Sequence, residues 1–124
     1  MPSRPLAALR TLGVAIVLVT AAAGCDHTVA GGRADGAAVF AEACARCHGP
    51  GGKPEESMRA QLGVRDLTAA EFRARASIDL VRNQVRQGSA NKIMPAFVGA
   101  LNDAQIDAVA AYVLTLSDAA ATTP

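Results

Sequence analysis

Tryptophan is absent from this 124-residue chain, and the other aromatics amount to one tyrosine and three phenylalanines. Phe40, Phe72, Phe97 and Tyr112 are thus all the large flat side chains a core can use. A surplus of charge is also lacking. Twelve basic residues stand against eleven acidic ones, a formal +1. That balance excludes the basic face a nucleic-acid partner needs, so none is expected. No stretch alternates apolar and polar residues for long enough to make a strand, and no segment repeats. The length allows one domain. A domain this small, with so few bulky side chains, is marginal by its own core. A large apolar cofactor in its centre would make up the deficit.

The first residues have the pattern of a targeting segment. Arg4 and Arg10 form a positive start, and an apolar run follows from Leu12 to Ala23. That run suits the core of a signal peptide and is too short to span a bilayer as a helix. It ends in Ala21-Ala22-Ala23-Gly24-Cys25, which resembles the lipobox of bacterial lipoproteins, with Ala22 where that family usually has Leu. The resemblance implies that residues 1–24 are removed and that Cys25 is lipidated. The alternative is ordinary cleavage after Ala23, which frees a soluble protein. Either route takes the protein out of the cytoplasm. Loss of Arg4 and Arg10 leaves ten basic against eleven acidic residues, a formal −1. Residues 25–34, with Gly31-Gly32 and no periodicity, are expected to be a lipid-anchored flexible linker. The domain proper is expected over 35–120.

That domain reads as all-α. Asp35 is placed to cap a helix from Gly36 to about Arg46, with Ala37, Phe40, Ala41 and Cys44 on its apolar face. Gly49-Pro50-Gly51-Gly52 must be loop. Thr68-Ala69-Ala70-Glu71 has the form of a capping box for a short helix to about Arg75. Ser77 caps another, through Gln87, with Gly88 as its stop. Asn102 and Gln105 begin the last helix, Asp103 to about Leu116, whose stripe is Ile106, Val109, Ala110, Val113 and Leu114. The Arg and Glu residues between 53 and 75 read as a solvated face.

Cys44-Ala45-Arg46-Cys47-His48 carries the chemistry. Two cysteines three apart on a helical turn point the same way. Both can add to the vinyl groups of one haem, and His48 then reaches the iron. C-x-x-C-H is the signature of covalent haem attachment. A redox dithiol would want a βαβ setting, and none is present. Half of a zinc site would want further ligands, and only Cys25 and His27 remain. A pure electron carrier also needs a sixth ligand on the iron. Met94 and Met58 are the candidates. Pro95 pushes Met94 out of helical geometry into an extended loop, where a ligand can be held across the haem face. Met58 has no such context, and a lone Met is usually core filler.

With these residues in view, the chain resembles a class I cytochrome c of the short bacterial type. Gly36, Phe40 and Cys44 to His48 match that family's first helix. Ile93-Met94-Pro95-Ala96-Phe97 is similar to its methionine loop, and Tyr112 falls where the family keeps an aromatic. The resemblance implies about four or five helices wrapped around one covalent haem c and its iron, with the first and last helices crossing near Gly36, Phe40, Val109 and Tyr112. Between residues 55 and 90 no Trp or Tyr is present to hold the haem propionates; Arg82, Arg86, Asn91 and Lys92 lie nearby in sequence. The expected function is one-electron transfer on a His48/Met94-ligated haem. Redox proteins are the expected partners and no small-molecule substrate is required. The expected location is the bacterial periplasm, tethered to a membrane through Cys25. A dedicated haem subunit of an oxidoreductase complex is the alternative. A haem sensor would need an open iron, which Met94-Pro95 argues against.

Overall fold

The computed structural model describes residues 28–117. Six α-helical segments follow one another: α1 Gly36–Ala43, α2 Ala45–His48, α3 Glu56–Leu62, α4 Ala70–Arg73, α5 Ile78–Gln87 and α6 Asp103–Val113. One isolated bridge, Val98 to Leu101, is the sole β-like pairing among the described residues.

The caps explain where the main helices begin. Asp35 Oδ1 accepts the Ala38 N–H at 3.1 Å, and Ser77 Oγ accepts the Leu80 N–H at 3.2 Å. Asn102 and Gln105 form a reciprocal capping box at the start of α6. Each bond satisfies a donor that the first helical turn leaves unpaired. The expected helix over 36–46 is bent. Cys44 takes φ −114° between α1 and α2, while its own N–H still reaches Phe40 O at 2.9 Å.

α6 packs on α1 and on α5. Val39, Phe40, Val81, Val85, Ile106, Val109, Ala110 and Val113 are buried between them. α1 and α6 cross at Gly36, where a Cβ would fall 2.8 Å from Tyr112 Cβ and against the Ala108 carbonyl. Only glycine permits that approach. Phe40 and Tyr112 seal the crossing, with ring centroids 5.4 Å apart at 53°.

Three expectations are corrected. The capping box at Thr68 does not form. Thr68 instead gives its N–H (2.9 Å) and hydroxyl (2.6 Å) to Asp66 Oδ1, and α4 starts at Ala70 with no side-chain cap. The apolar face expected on the first helix is shifted: Ala37 and Ala41 are exposed, and Val39 is buried beside Phe40. Helix α3, which no expectation covered, lies on the expected solvated face, and none of its residues is buried. The linker expected over 25–34 falls within the described residues from Thr28 onward, and that part is folded. Residues Val29–Gly32 make a 3-10 turn, and Ala30 is buried. Ala30 N–H donates to Glu42 Oε2 at 2.8 Å. Gln105 Nε2 donates to Val29 O at 2.8 Å and Arg33 O at 3.3 Å. A buried amide with two carbonyl partners fixes the segment to α6.

Candidate functional site

The helices and the loops between them line an open-sided cavity of about 570 Å³. Its wall is mostly apolar, from Phe40, Leu67, Phe72, Val81, Val85, Phe97, Val109 and Val113. Protein cores ordinarily close to crystal-like density, with few voids larger than a water molecule. A space of this size among aliphatic and aromatic side chains is the shape of a sizeable apolar group.

Cys44, Cys47, His48 and Met94 all line this one cavity. The first three come from the bend between α1 and α2. Cys47 N–H and His48 N–H both donate to Cys44 O, at 3.1 and 3.0 Å, which stacks the motif on a single turn. Gly49, at φ +74°, then ends the helix. Cys44 and Cys47 are not joined to each other as a disulfide. Burial, with a smaller push from Cys47, raises the Cys44 pKa to about 11. A redox dithiol works through a lowered thiol pKa, so Cys44 has the opposite character.

His48 is oriented by a main-chain group. Its Nδ1 lies 3.0 Å from Arg65 O. A carbonyl only accepts, so Nδ1 carries the proton and the Nε2 lone pair is free for a metal. Burial lowers the His48 pKa, against an opposing push from the Arg65 bond. The ring is thus biased to the neutral form that can ligate. Arg65 itself sits in a braced loop, where Leu67 N–H donates to Gly52 O at 2.8 Å and Asp66 holds Thr68.

Met94 reaches the cavity from the loop between α5 and α6. Gly88 stops α5 at φ +70°, and a Cβ there would lie 2.5 Å from Met94 O and 2.7 Å from Ala96 N. Phe97 N–H donates to Val85 O at 3.0 Å and closes the far end of the loop. Met58 is half-buried on α3 and is not part of the cavity wall. Arg82 and Arg86, near in sequence, are engaged elsewhere. Arg82 pairs with Asp107 (2.6 Å) and Asp79 (2.7 Å), and Arg86 with Asp103 (3.0 Å). The polar residues that do line the cavity include Arg65, Arg75, Gln84 and Asn91. Cys25 and His27 lie outside the described residues.

Two thiols, an imidazole with its Nε2 available and a thioether, set in an apolar slot, fit a flat iron porphyrin. Sequence reasoning found these four side chains. It missed the Arg65 carbonyl, because a main-chain oxygen carries no residue signature. It also missed Arg65 and Arg75 as wall residues, since the fold alone decides which surface arginines face the cavity.

Residues 32–113 match the family model described as cytochrome C oxidase, cbb3-type, subunit III. The chain is similar to cytochrome c6 of Synechococcus sp. (strain ATCC 27167 / PCC 6312), 42% identical over 84 residues that cover 68% of this chain and 70% of the relative. Cytochrome c6 of Rippkaea orientalis (strain PCC 8801 / RF-1) is 41% identical over 91 residues, covering 73% of this chain and 77% of its own. Among solved structures, the KustC0563 c-type cytochrome superposes with a TM-score of 0.61 at 26% identity, over 68% of this chain and 99% of its own.

Proposed function

This chain belongs to the cytochrome c family in its small class I form and carries one covalent haem c; from that premise we propose that it is a periplasmic, membrane-tethered electron shuttle with His/Met ligation. Cys44 and Cys47 would hold the haem as thioethers, and His48 Nε2 and Met94 Sδ would ligate the iron. The convergence of these four side chains on one apolar cavity carries the reading. The haem supplies a reversible one-electron couple.

The residues of the chain set how that couple behaves. The Arg65 carbonyl fixes the tautomer and the plane of His48. The Met94 thioether is soft and neutral and favours ferrous iron, which raises the potential. The apolar wall excludes water and disfavours the extra charge of the ferric state. Arg65 and Arg75, the cations on the wall, would face the propionates. With His48 and Met94 each held in place by the fold, the ligand set would change little between oxidation states, so reorganisation would be small.

The location is argued from the N-terminal pattern. Lipidation of Cys25 would place the anchor four residue steps before Val29, which Gln105 ties to α6, a reach of about 14 Å at most. The haem would stay within a thin layer at the membrane. A short leash raises the effective concentration for a membrane-bound partner towards millimolar without a tight interface. That suits a carrier that binds briefly and leaves.

The match to an oxidase-subunit model favours a second reading, in which the chain is a fixed haem subunit of an oxidoreductase complex. Purification in mild detergent separates the two. The shuttle reading expects the haem protein to elute alone; a stoichiometric partner through successive columns would replace it with the subunit.

A further inference from the structure

The loop that carries Met94 is organised around one small side chain. Both main-chain polar groups of Met94 bond to Ser89. The Met94 N–H donates to Ser89 Oγ at 2.9 Å, and the Ser89 N–H donates to Met94 O at 2.9 Å. The Ser89 hydroxyl, having accepted from Met94, gives its own proton to Asn91 Oδ1 at 2.6 Å. Asn91 Oδ1 also accepts the Ile93 N–H at 3.2 Å, and Ser89 O accepts the Lys92 N–H at 3.0 Å. Lys92 takes φ +62° to close the turn, a left-handed backbone that a non-glycine residue adopts only when its surroundings impose it. The segment 89–94 is therefore a closed ring of hydrogen bonds, joined across by the Ser89 hydroxyl and by the Ser89 N–H.

We propose that Ser89 is a positioning residue for the sixth iron ligand: its hydroxyl, oriented by Asn91, holds Met94 against the haem and keeps the iron closed to other ligands. The proposal rests on Met94 being that ligand. A thioether is a weak donor to ferric iron, so the strength of the Met94 bond depends on how firmly the loop presents the sulfur. Gly88 leaves room for the Met94–Ala96 backbone but makes no bond to it that could hold the loop shut. The Phe97 to Val85 bond fixes the far end of the loop and leaves Met94 itself free to swing. Among the described residues, Ser89 alone ties the peptide groups of Met94. Without its hydroxyl the Met94 N–H loses its acceptor in a half-buried place, and the open loop gains population.

Imidazole added to the ferric holoprotein is the probe. Its nitrogen forms a bond to iron as the bond to Met94 sulfur breaks, with no change in oxidation state. The weak near-infrared sulfur-to-iron band reports the intact bond. In Ser89→Ala the band should be present without imidazole, and imidazole should bind about tenfold tighter than in wild type, the size expected for one lost hydrogen bond. Ser89→Thr, which keeps the hydroxyl, should restore the wild-type affinity to within about twofold. Asn91→Ala, at an exposed position, should tighten imidazole binding in the same direction by a smaller factor, and serves if Ser89→Ala does not accumulate. A residue that served folding alone would lower the urea midpoint and leave the imidazole affinity unchanged. Wild-type imidazole affinity in both Ser89→Ala and Asn91→Ala, or failure of Ser89→Thr to rescue, would overturn the proposal. Absence of the near-infrared band from wild type would overturn the Met94 assignment together with it. Presence of the band with unchanged variants would overturn the role of Ser89 alone.

Discussion

Arg65 offers its main-chain oxygen, not its guanidinium, to Nδ1 of His48, 3.0 Å away across seventeen residues of sequence. The bond ties the turn from Cys44 to His48 to the loop at Arg65, which also lines the cavity. It makes His48 a donor at Nδ1 and leaves the Nε2 lone pair available, as the proposed ligation requires. The loop that delivers the carbonyl is braced by Asp66, which accepts both bonds from Thr68.

Asp66 therefore has a pH signature. Burial pushes its carboxyl up, but the two Thr68 bonds with Lys53 and Arg59 outweigh it and hold the pKa below the usual value. A carboxyl with a depressed folded pKa stabilises the fold above its unfolded pKa, near 4, and loses that contribution as pH falls further. Asp66→Asn should cost the holoprotein about 1 kcal/mol at pH 7, allowing for solvent at this partly exposed site. The difference from wild type in urea unfolding should shrink as pH drops below about 4. A gap that stays constant down to acid pH would remove the carboxylate from the account.

Gly36 tests the helix crossing. Gly36→Ala drives a methyl into the Ala108 carbonyl and the Tyr112 Cβ, neither of which can rotate away. The expected loss is about 1–3 kcal/mol, as for an overpacked core. Ala37→Gly, at the exposed neighbour, should cost only about 1 kcal/mol from helix propensity. Equal effects in denaturant titrations would mean that the close approach carries no energetic weight.

How far the sequence alone reached follows from how each feature is encoded. The stripe from Ile106 to Val113 announces an amphipathic last helix; its crossing of the first helix near Gly36, Phe40 and Tyr112 is what the family resemblance implies, and α1 and α6 do cross there. Ser77 and Asn102 mark helix starts by side-chain chemistry and Gly88 marks a stop by its freedom to take a positive φ, and all three act as expected. The pattern at Thr68 misled because Asp66, two residues back, competes for the same hydroxyl. Helix α3 has no buried face, so periodicity could not report it. The segment at Val29 looked like a linker because its anchor, Gln105, lies 76 residues away. The four side chains that share the cavity wall, Cys44, Cys47, His48 and Met94, were legible as residue types in their sequence context. The carbonyl behind His48 and the hydroxyl behind Met94 belong to the folded geometry.

Met94 and Met58 separate by variant spectra. Met94→Ala should erase the near-infrared band, lower the reduction potential and admit cyanide or carbon monoxide. Met58→Ala, away from the cavity wall, should do none of these. The reverse pattern would exchange the two assignments.

Membrane attachment is tested at Cys25. In a bacterial host that matures lipoproteins, the wild type should sediment with membranes and take up labelled fatty acid. Two or three acyl chains would make its release very slow, since each buried methylene contributes about 0.8 kcal/mol. Cys25→Ser should lose the label and leave the membrane fraction, or remain uncleaved. Wild-type protein that is wholly soluble and begins at Gly24 would leave a diffusible carrier.

The central claim is that Cys44 and Cys47 hold the haem that fills the core, and the intact mass of the chain after acid–acetone extraction tests it most directly. The wild type should retain the mass of one haem through denaturation and extraction. The Cys44→Ala, Cys47→Ala double variant should retain none, and what accumulates should be largely unfolded, because the cofactor supplies the centre of this small core. A wild-type chain that gives up all its haem to the solvent would contradict the account.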